Sequence, residues 1–411
     1  MTPWETASRR REARELLDFG RRFPHPLGGA AWLGDDGAPD LEMPVYTYST
    51  ARMVHVYCMG HLLGDSEAGV LADQALAGLA GRLRDHGRRG WFTYVDREGG
   101  SPDEKTCYTH AFVVLGAASG VVAGRPSAGD LLVEALDLWN DAFYDDEFGM
   151  YADKWDGAFR ELDPYRGLNA NMHAVEALLA AADATGDGKW IERAMGIARR
   201  VVTDLGPGHG WRLPEHFTEQ WVPMLEHNRG RPADPFQPYG ATVGHGLEWS
   251  RLLLHLEASM GTEAPAWLAP AAVALFERAV ADGWAVDGSD GFVYTTDWSG
   301  RPVVHDRMHW VLAEGLAASA ALQQRWPDEA YGDFADAWWA YAEKHVIDRV
   351  RGSWHHQLDR DNRPVSTVWP GKPDLYHAFQ AMLVPDLPLA PAMALALARL
   401  SPPPNVLAPF Q

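Results

Sequence analysis

Residues 291–323 read GFVYTTDWSGRPVVHDRMHWVLAEGLAASAALQ. A glycine and an aromatic open the stretch, residues 292–304 alternate apolar and turn-forming side chains as a short hairpin does, and from 306 the apolar residues take up a 3.6-residue period rich in Ala and Leu. The glycine-aromatic opening recurs as Gly29-Ala-Ala-Trp32, Gly90-Trp91-Phe92, Gly149-Met150-Tyr151, Gly210-Trp211 and Gly352-Ser-Trp354, at spacings of about 60 residues and one near 80, where the 210–243 loop is long. Six units fill the chain.

Between these marks the periodicity predicts helices over 4–20, 50–63, 68–86, 107–123, 127–142, 168–185, 188–205, 244–258, 265–282, 306–323, 328–346 and 374–385, two per unit. Thr185-Gly-Asp-Gly188 separates one pair, and Asp374 caps the helix that follows Pro373. WHHQLDRDNRPV (354–365) reads as another small hairpin. Helical hairpins bury their apolar faces only by stacking on neighbours, so six of them form an open solenoid or a closed ring. The closed form is an all-α (α/α)6 barrel with short β-hairpins in the loops at one rim. No Ser/Gly linker interrupts the chain, which implies one catalytic domain over 1–411.

Composition narrows the function. No stretch reaches the roughly 20 apolar residues that cross a bilayer, and the N-terminus lacks an apolar core after its basic run, so a soluble cytoplasmic protein is expected. Cys58 and Cys107 form no C-x-x-C pair and read as reduced, buried thiols. A formal charge of -20 repels nucleic acid and anionic lipid alike, leaving a small neutral molecule as the expected partner. The 18 Trp residues suit a large core or the faces of sugars. Both a monomer and a small homo-oligomer remain open.

Within or beside the apolar runs sit Arg52, His110, Asn169, His173, His245, Glu248, Glu314 and His377, all on even-numbered helices and mostly in the first two turns. With the even helices inside a barrel, those turns share one rim and line one pocket. Singly, each has an ordinary reading: a buried histidine satisfied by a hydrogen bond, or an ion pair. In DPFQPYGATVGHGLEWSRLLLHLE (234–257) the glycines beside His245 would admit substrate close to the backbone, and His245-x-x-Glu248 puts a carboxylate where it can orient an imidazole. Asn169 and His173 share a face at i, i+4. Glu314 could bond a sugar hydroxyl or pair with Arg52.

Several imidazoles in one pocket suit a reaction that removes one proton and delivers another, and an arginine suits the oxyanion formed when a proton leaves carbon beside a carbonyl. Sugar isomerisation or epimerisation needs those parts. An inverting glycosidase needs two carboxylates roughly 6.5–9.5 Å apart, an option that Glu215, Glu248 and Glu314 keep open. His173, His245 and Glu248 could chelate a metal, but no compact ligand motif appears, nor any phosphate loop, dinucleotide fingerprint or nucleophile elbow. The expectation is therefore no metal and no cofactor.

TARMVHVY (50–57), NANMHAVEALLAA (169–181), EHFTEQWVP (215–223), PFQPYGATVGHGLEWSRLL (235–253) and SWHHQLDRDNRPVSTVWPGKPDLYHAFQAML (353–383) together resemble the N-acylglucosamine 2-epimerase superfamily, in particular its aldose-ketose isomerase branch. The resemblance covers nearly the whole chain. It implies an (α/α)6 barrel and cofactor-independent interconversion of an aldose with its 2-ketose through a cis-enediol. By the same matching, the catalytic histidines are His245 and His377, and Arg52, Asn169, His173, Glu248, Trp310 and Glu314 hold the sugar. His377 would shuttle the proton between C2 and C1, with His245 and Glu248 serving ring opening and the oxygens, or with the roles exchanged. Pro373 stands where the sulfoquinovose isomerases carry glutamine, which favours D-mannose to D-fructose, with D-lyxose to D-xylulose beside it. Lys372 leaves room for an anionic sugar.

Overall fold

The computed structural model describes residues 4–400, which fall into two compact units. The N-terminal unit comprises residues 14–196, 373–376 and 391–400, and the C-terminal unit comprises 4–13, 197–372 and 377–390. The helices are α1 (Thr6–Gly20), α2 (Thr47–Leu62), α3 (Ser66–Ala80), α4 (Cys107–Val122), α5 (Ala128–Phe143), α6 (Leu168–Thr185), α7 (Lys189–Arg199), α8 (Val243–Met260), α9 (Leu268–Gly283), α10 (His309–Arg325), α11 (Tyr331–Tyr341), α12 (Tyr376–Leu383) and α13 (Met393–Arg399). Wide π turns at Arg200–Leu205 and Ala342–Val346 prolong α7 and α11.

Helical pairs build each unit. In the N-terminal unit α2 packs on α3 and α4 on α5, while α4 also touches α2 and α6; α13 covers α2, α4 and α6. In the C-terminal unit α8 pairs with α9, α10 with α11, and α8 lies against α10. Burial separates the two kinds of helix. Fourteen of the sixteen residues of α2 are buried against eight of sixteen in α5. A helix apolar on all sides is an inner element, and a one-sided helix an outer one.

The glycine-aromatic repeat marks the turn after each outer helix. Gly29, Gly90, Gly149, Gly210, Gly291 and Gly352 all have positive φ. At Gly90 the constraint is double, because a Cβ there would also lie 2.6 Å from His110 Nε2. Beyond four of these turns a short strand pairs antiparallel with the strand leading into the preceding inner helix. Val45↔Val95 fixes the entry to α2, Lys105↔Trp155 that of α4, Thr242↔Thr295 that of α8 and Arg307↔Leu358 that of α10. These four repeats thus hold the N-terminal end of the inner helix before them.

An ion pair repeats with the turns. Asp85 Oδ1 accepts from the amides of Gly87 and Arg88 while Oδ2 takes Lys105 Nζ at 2.8 Å. Asp348 Oδ1 accepts from Val350 and Arg351, and its Oδ2 takes Lys372 Nζ at 2.7 Å. Asp287 is bound by Arg307 through both Nη atoms, at 2.7 and 3.1 Å. One carboxylate closes the turn, and a buried cation just ahead of the next inner helix neutralises it. Lys372, 1% exposed, is therefore a structural clamp rather than a handle for an anionic sugar.

The expected helices are present with shifted ends. The 68–86 helix stops at Ala80, since residues 82–86 form the turn that Asp85 closes. The 306–323 helix starts at His309 because Arg307 and Met308 are committed to a strand. α13 was not foreseen: seven residues beyond a proline are too few for periodicity to register.

Candidate active site

In the C-terminal unit, the strand at 241–242 delivers α8 so that His245 is its third residue, with Glu248 and Arg251 one and two turns on. Trp310 is the second residue of α10 and Glu314 lies one turn later; His377 follows the first residue of α12. The Trp310 indole touches both imidazoles, with ring centroids 5.3 Å from His245 and 5.6 Å from His377, each at an interplanar angle of 37°. Two histidines 132 positions apart in sequence thus share one aromatic neighbour.

Each imidazole has its own carboxylate. His245 Nδ1 stands 2.9 Å from Glu215 Oε1, an ion-pair contact that lacks the geometry of a hydrogen bond. His377 Nδ1 donates to Glu314 Oε1 at 2.8 Å, which leaves Nε2 as the basic nitrogen. Glu314 Oε2 accepts from Arg251 Nε at 2.9 Å, and Arg251 Nη2 lies 3.8 Å from Glu248 Oε1. Burial works to raise the Glu314 carboxyl, but the Arg251 charge and the His377 hydrogen bond outweigh it and hold the group below the usual carboxylate range. His245 retains 12% side-chain exposure, while Glu248, Arg251, Glu314 and His377 are nearly sealed.

The glycines beside His245 serve packing. A Cβ on Gly244 would sit 2.3 Å from Trp310 Cζ3, so the missing side chain lets the edge of the indole approach the start of α8. Gly246 faces Ala279 and Leu275 of α9.

In the N-terminal unit, Arg52 donates from Nη1 to Asp374 Oδ2 at 2.9 Å and from Nη2 to the Tyr108 hydroxyl at 2.8 Å. Its guanidinium lies over the rings of Phe112 and Tyr376, at 4.3 and 4.8 Å from their centroids. The Arg52 Nε–H is buried without a protein partner. Asp374 Oδ1 accepts from the Tyr376 amide at 3.0 Å, the expected cap of α12. His173 packs against Phe112 and Tyr108, with Nδ1 4.0 Å from Glu176 Oε2, and Tyr376 donates its hydroxyl to the same carboxylate oxygen. Asn169 is half-buried, its Oδ1 hidden and unbonded.

Three expectations need correction. The carboxylate that meets His245 is Glu215, from the loop before α8, and not Glu248 on its own helix. Glu314 pairs with His377 and Arg251, while Arg52 takes Asp374. His110 belongs to the scaffold: Nδ1 is 2.7 Å from the Thr106 carbonyl and Nε2 accepts from the Trp91 amide, while burial pushes its pKa down to about 4. Arg251 joins the site although the sequence signals it only as a cation within the apolar run SRLLLHLE. Glu215 reaches His245 from a loop thirty residues upstream, and nothing in that loop's sequence announces the contact.

The sequence model of the N-acylglucosamine 2-epimerase (GlcNAc 2-epimerase) family matches residues 28–381. The chain belongs to this family. Among curated relatives, a D-mannose isomerase of Thermobifida fusca is 49% identical over 405 residues, covering 97% of this chain and 99% of the other. A D-mannose isomerase of Pseudomonas cannabina pv. alisalensis is 43% identical over 394 residues, covering 95% and 94%. Among solved structures, a crystal structure of D-mannose isomerase matches with TM-score 0.86 and 26% identity over 93% of this chain and 97% of that one. A cellobiose 2-epimerase from Spirochaeta thermophila shares the fold at TM-score 0.80 and 22% identity, over 96% and 97%. The fold is accordingly the (α/α)6 barrel of that family.

Proposed function

We propose that this chain interconverts D-mannose and D-fructose, and more slowly D-lyxose and D-xylulose, by metal-free 1,2-proton transfer in the cytoplasm. The observation that carries the reading is the pair of carboxylate-linked imidazoles on one indole, in a chain whose near full-length relatives are named D-mannose isomerases.

In the open-chain aldose, His377 Nε2 takes the proton from C2. The C–H electron pair forms the C1=C2 bond while O1 receives a proton from His245, giving the cis-enediol. His245 then takes the proton from the O2 hydroxyl as C2=O2 forms, and His377 returns its proton to C1. Each histidine ends as it began. Glu314 stabilises the imidazolium formed at His377, and Glu215 does the same at His245. Trp310 offers the sugar a flat face. The family resemblance assigns Arg52, Asn169, His173 and Glu248 to the hydroxyls and the developing oxyanion, and the unpartnered Nε–H of Arg52 and Oδ1 of Asn169 support donor and acceptor roles. Both Glu314 oxygens are engaged by protein, so we assign it to orienting the base rather than to the sugar.

The test is an NMR time course of the enzyme with D-mannose, with and without EDTA. Fructose formed at equal rates in both supports the reading. Glucose in place of fructose would make the chain a 2-epimerase, and chelator-sensitive turnover would refute the metal-free step.

A further inference from the structure

We propose that Arg251 is a positioning residue that keeps His377 a base at neutral pH, by neutralising the carboxylate on which that imidazole rests. The inference rests on the isomerase reading for its meaning, though one of its two readouts needs no turnover.

Arg251 is 2% exposed and lies on α8 two turns past His245, with Nε on Glu314 Oε2 and Nη2 towards Glu248 Oε1. The charged side chains against His377 include Glu314 on α10 and Glu248 and Arg251 on α8, with His245 on the same Trp310 ring, and a carboxylate oxygen of Glu248, one of Glu314 and a ring nitrogen of His377 lie within 4.8 Å of one another. Two buried carboxylates beside one imidazole would bind its proton tightly: imidazole is the most basic of the three, and both anions favour its charged form. Such a histidine would sit as imidazolium and could not remove a proton from carbon. Arg251 supplies the missing positive charge. It occupies the Glu314 oxygen that His377 does not use, so the carboxylate still fixes the ring through Nδ1 without holding it protonated. The planar guanidinium, always charged, suits a buried site where a lysine would titrate.

The experiment is the pH dependence of kcat/KM on D-mannose, with the 1H/15N titration of the His377 ring in the same proteins, its signal assigned by its absence in His377→Asn. One unit charge removed at roughly 6 Å, in an effective dielectric of about 20, corresponds to a shift of about two pH units. In Arg251→Met the acid limb and the His377 titration are expected to rise by that amount, so that activity lost at pH 7 returns at higher pH. Arg251→Met/Glu248→Gln should bring the limb back by removing the matching anion. Glu248→Gln alone, which opens no cavity, should move the limb down even if Arg251→Met fails to fold. An acid limb and a ring titration that stay within about 0.3 pH units of the parent in these variants would overturn the proposal. If the parent does not isomerise mannose, the functional reading fails while the ring titration still tests the electrostatic claim.

Discussion

The two glycines that flank His245 make opposite predictions for the same substitution. In Gly244→Ala the new Cβ would stand 2.3 and 2.5 Å from Cζ3 and Cη2 of Trp310, and 2.8 Å from Val311 Cγ2. Carbon atoms rest about 3.5–4.0 Å apart, so the indole must move by more than about 1 Å. Both imidazoles lean on that ring, and a displacement of about 1 Å at reacting groups costs on the order of 10²-fold in rate. Stability should change less, because overpacking costs about 1–3 kcal/mol while alanine recovers about 1 kcal/mol of helix propensity. Gly246→Ala meets only Ala279 Cβ at 3.3 Å and Leu275 O at 3.7 Å, contacts that a few tenths of an ångström relieve. Steady-state kinetics of fructose formation, with melting temperatures, should show kcat down about 100-fold in Gly244→Ala at nearly parental Tm, and near-parental kcat in Gly246→Ala. Parental kcat in Gly244→Ala would refute the packing role given to Trp310.

Other consequences can be measured independently. His110 is neutral in the fold with its pKa near 4 against 6.5 in the unfolded chain, so the unfolded state binds more protons between those values. The stability this gives is complete above about pH 6.5 and falls by roughly 3 kcal/mol as pH drops to about 4; urea midpoints should fall over that window, and the part due to His110 should vanish in His110→Gln. Glu215→Gln removes the charge facing His245 and should lower kcat about 10–100-fold while leaving mannose binding, followed by calorimetry, little changed. Lys372→Met strands the Asp348 carboxylate and should cost about 3–5 kcal/mol of stability, without altering the preference between neutral and anionic sugars; stability unaffected by this change would contradict the clamp.

Much of the architecture was legible because it repeats. Positive-φ glycines followed by aromatics are forced at every outer-to-inner turn, and long Ala- and Leu-rich inner helices carry a clear period. α13 was too short to read, and the end of α3 depended on Asp85, whose partner Lys105 lies twenty residues away. At the site, residues within helices were visible as polar interruptions, and His245, Trp310 and His377 do come together. The partners were not, since they are tertiary pairings. Glu215 reaches His245 from a loop, Arg251 reaches Glu314 from another helix, and Asp374 accepts from Arg52 across 322 positions. The same-helix carboxylate at i+3 was the natural guess for His245, and it failed because Glu248 lies towards Arg251 and Glu314.

The most direct test of the central claim follows deuterium during turnover in D2O. His377 as a single base and acid predicts that solvent label enters only one of the two C1 hydrogen positions of fructose, the remainder at that position being the proton carried over from C2, with no product from His377→Asn. Solvent label at both C1 positions, or parental turnover by His377→Asn, would contradict it.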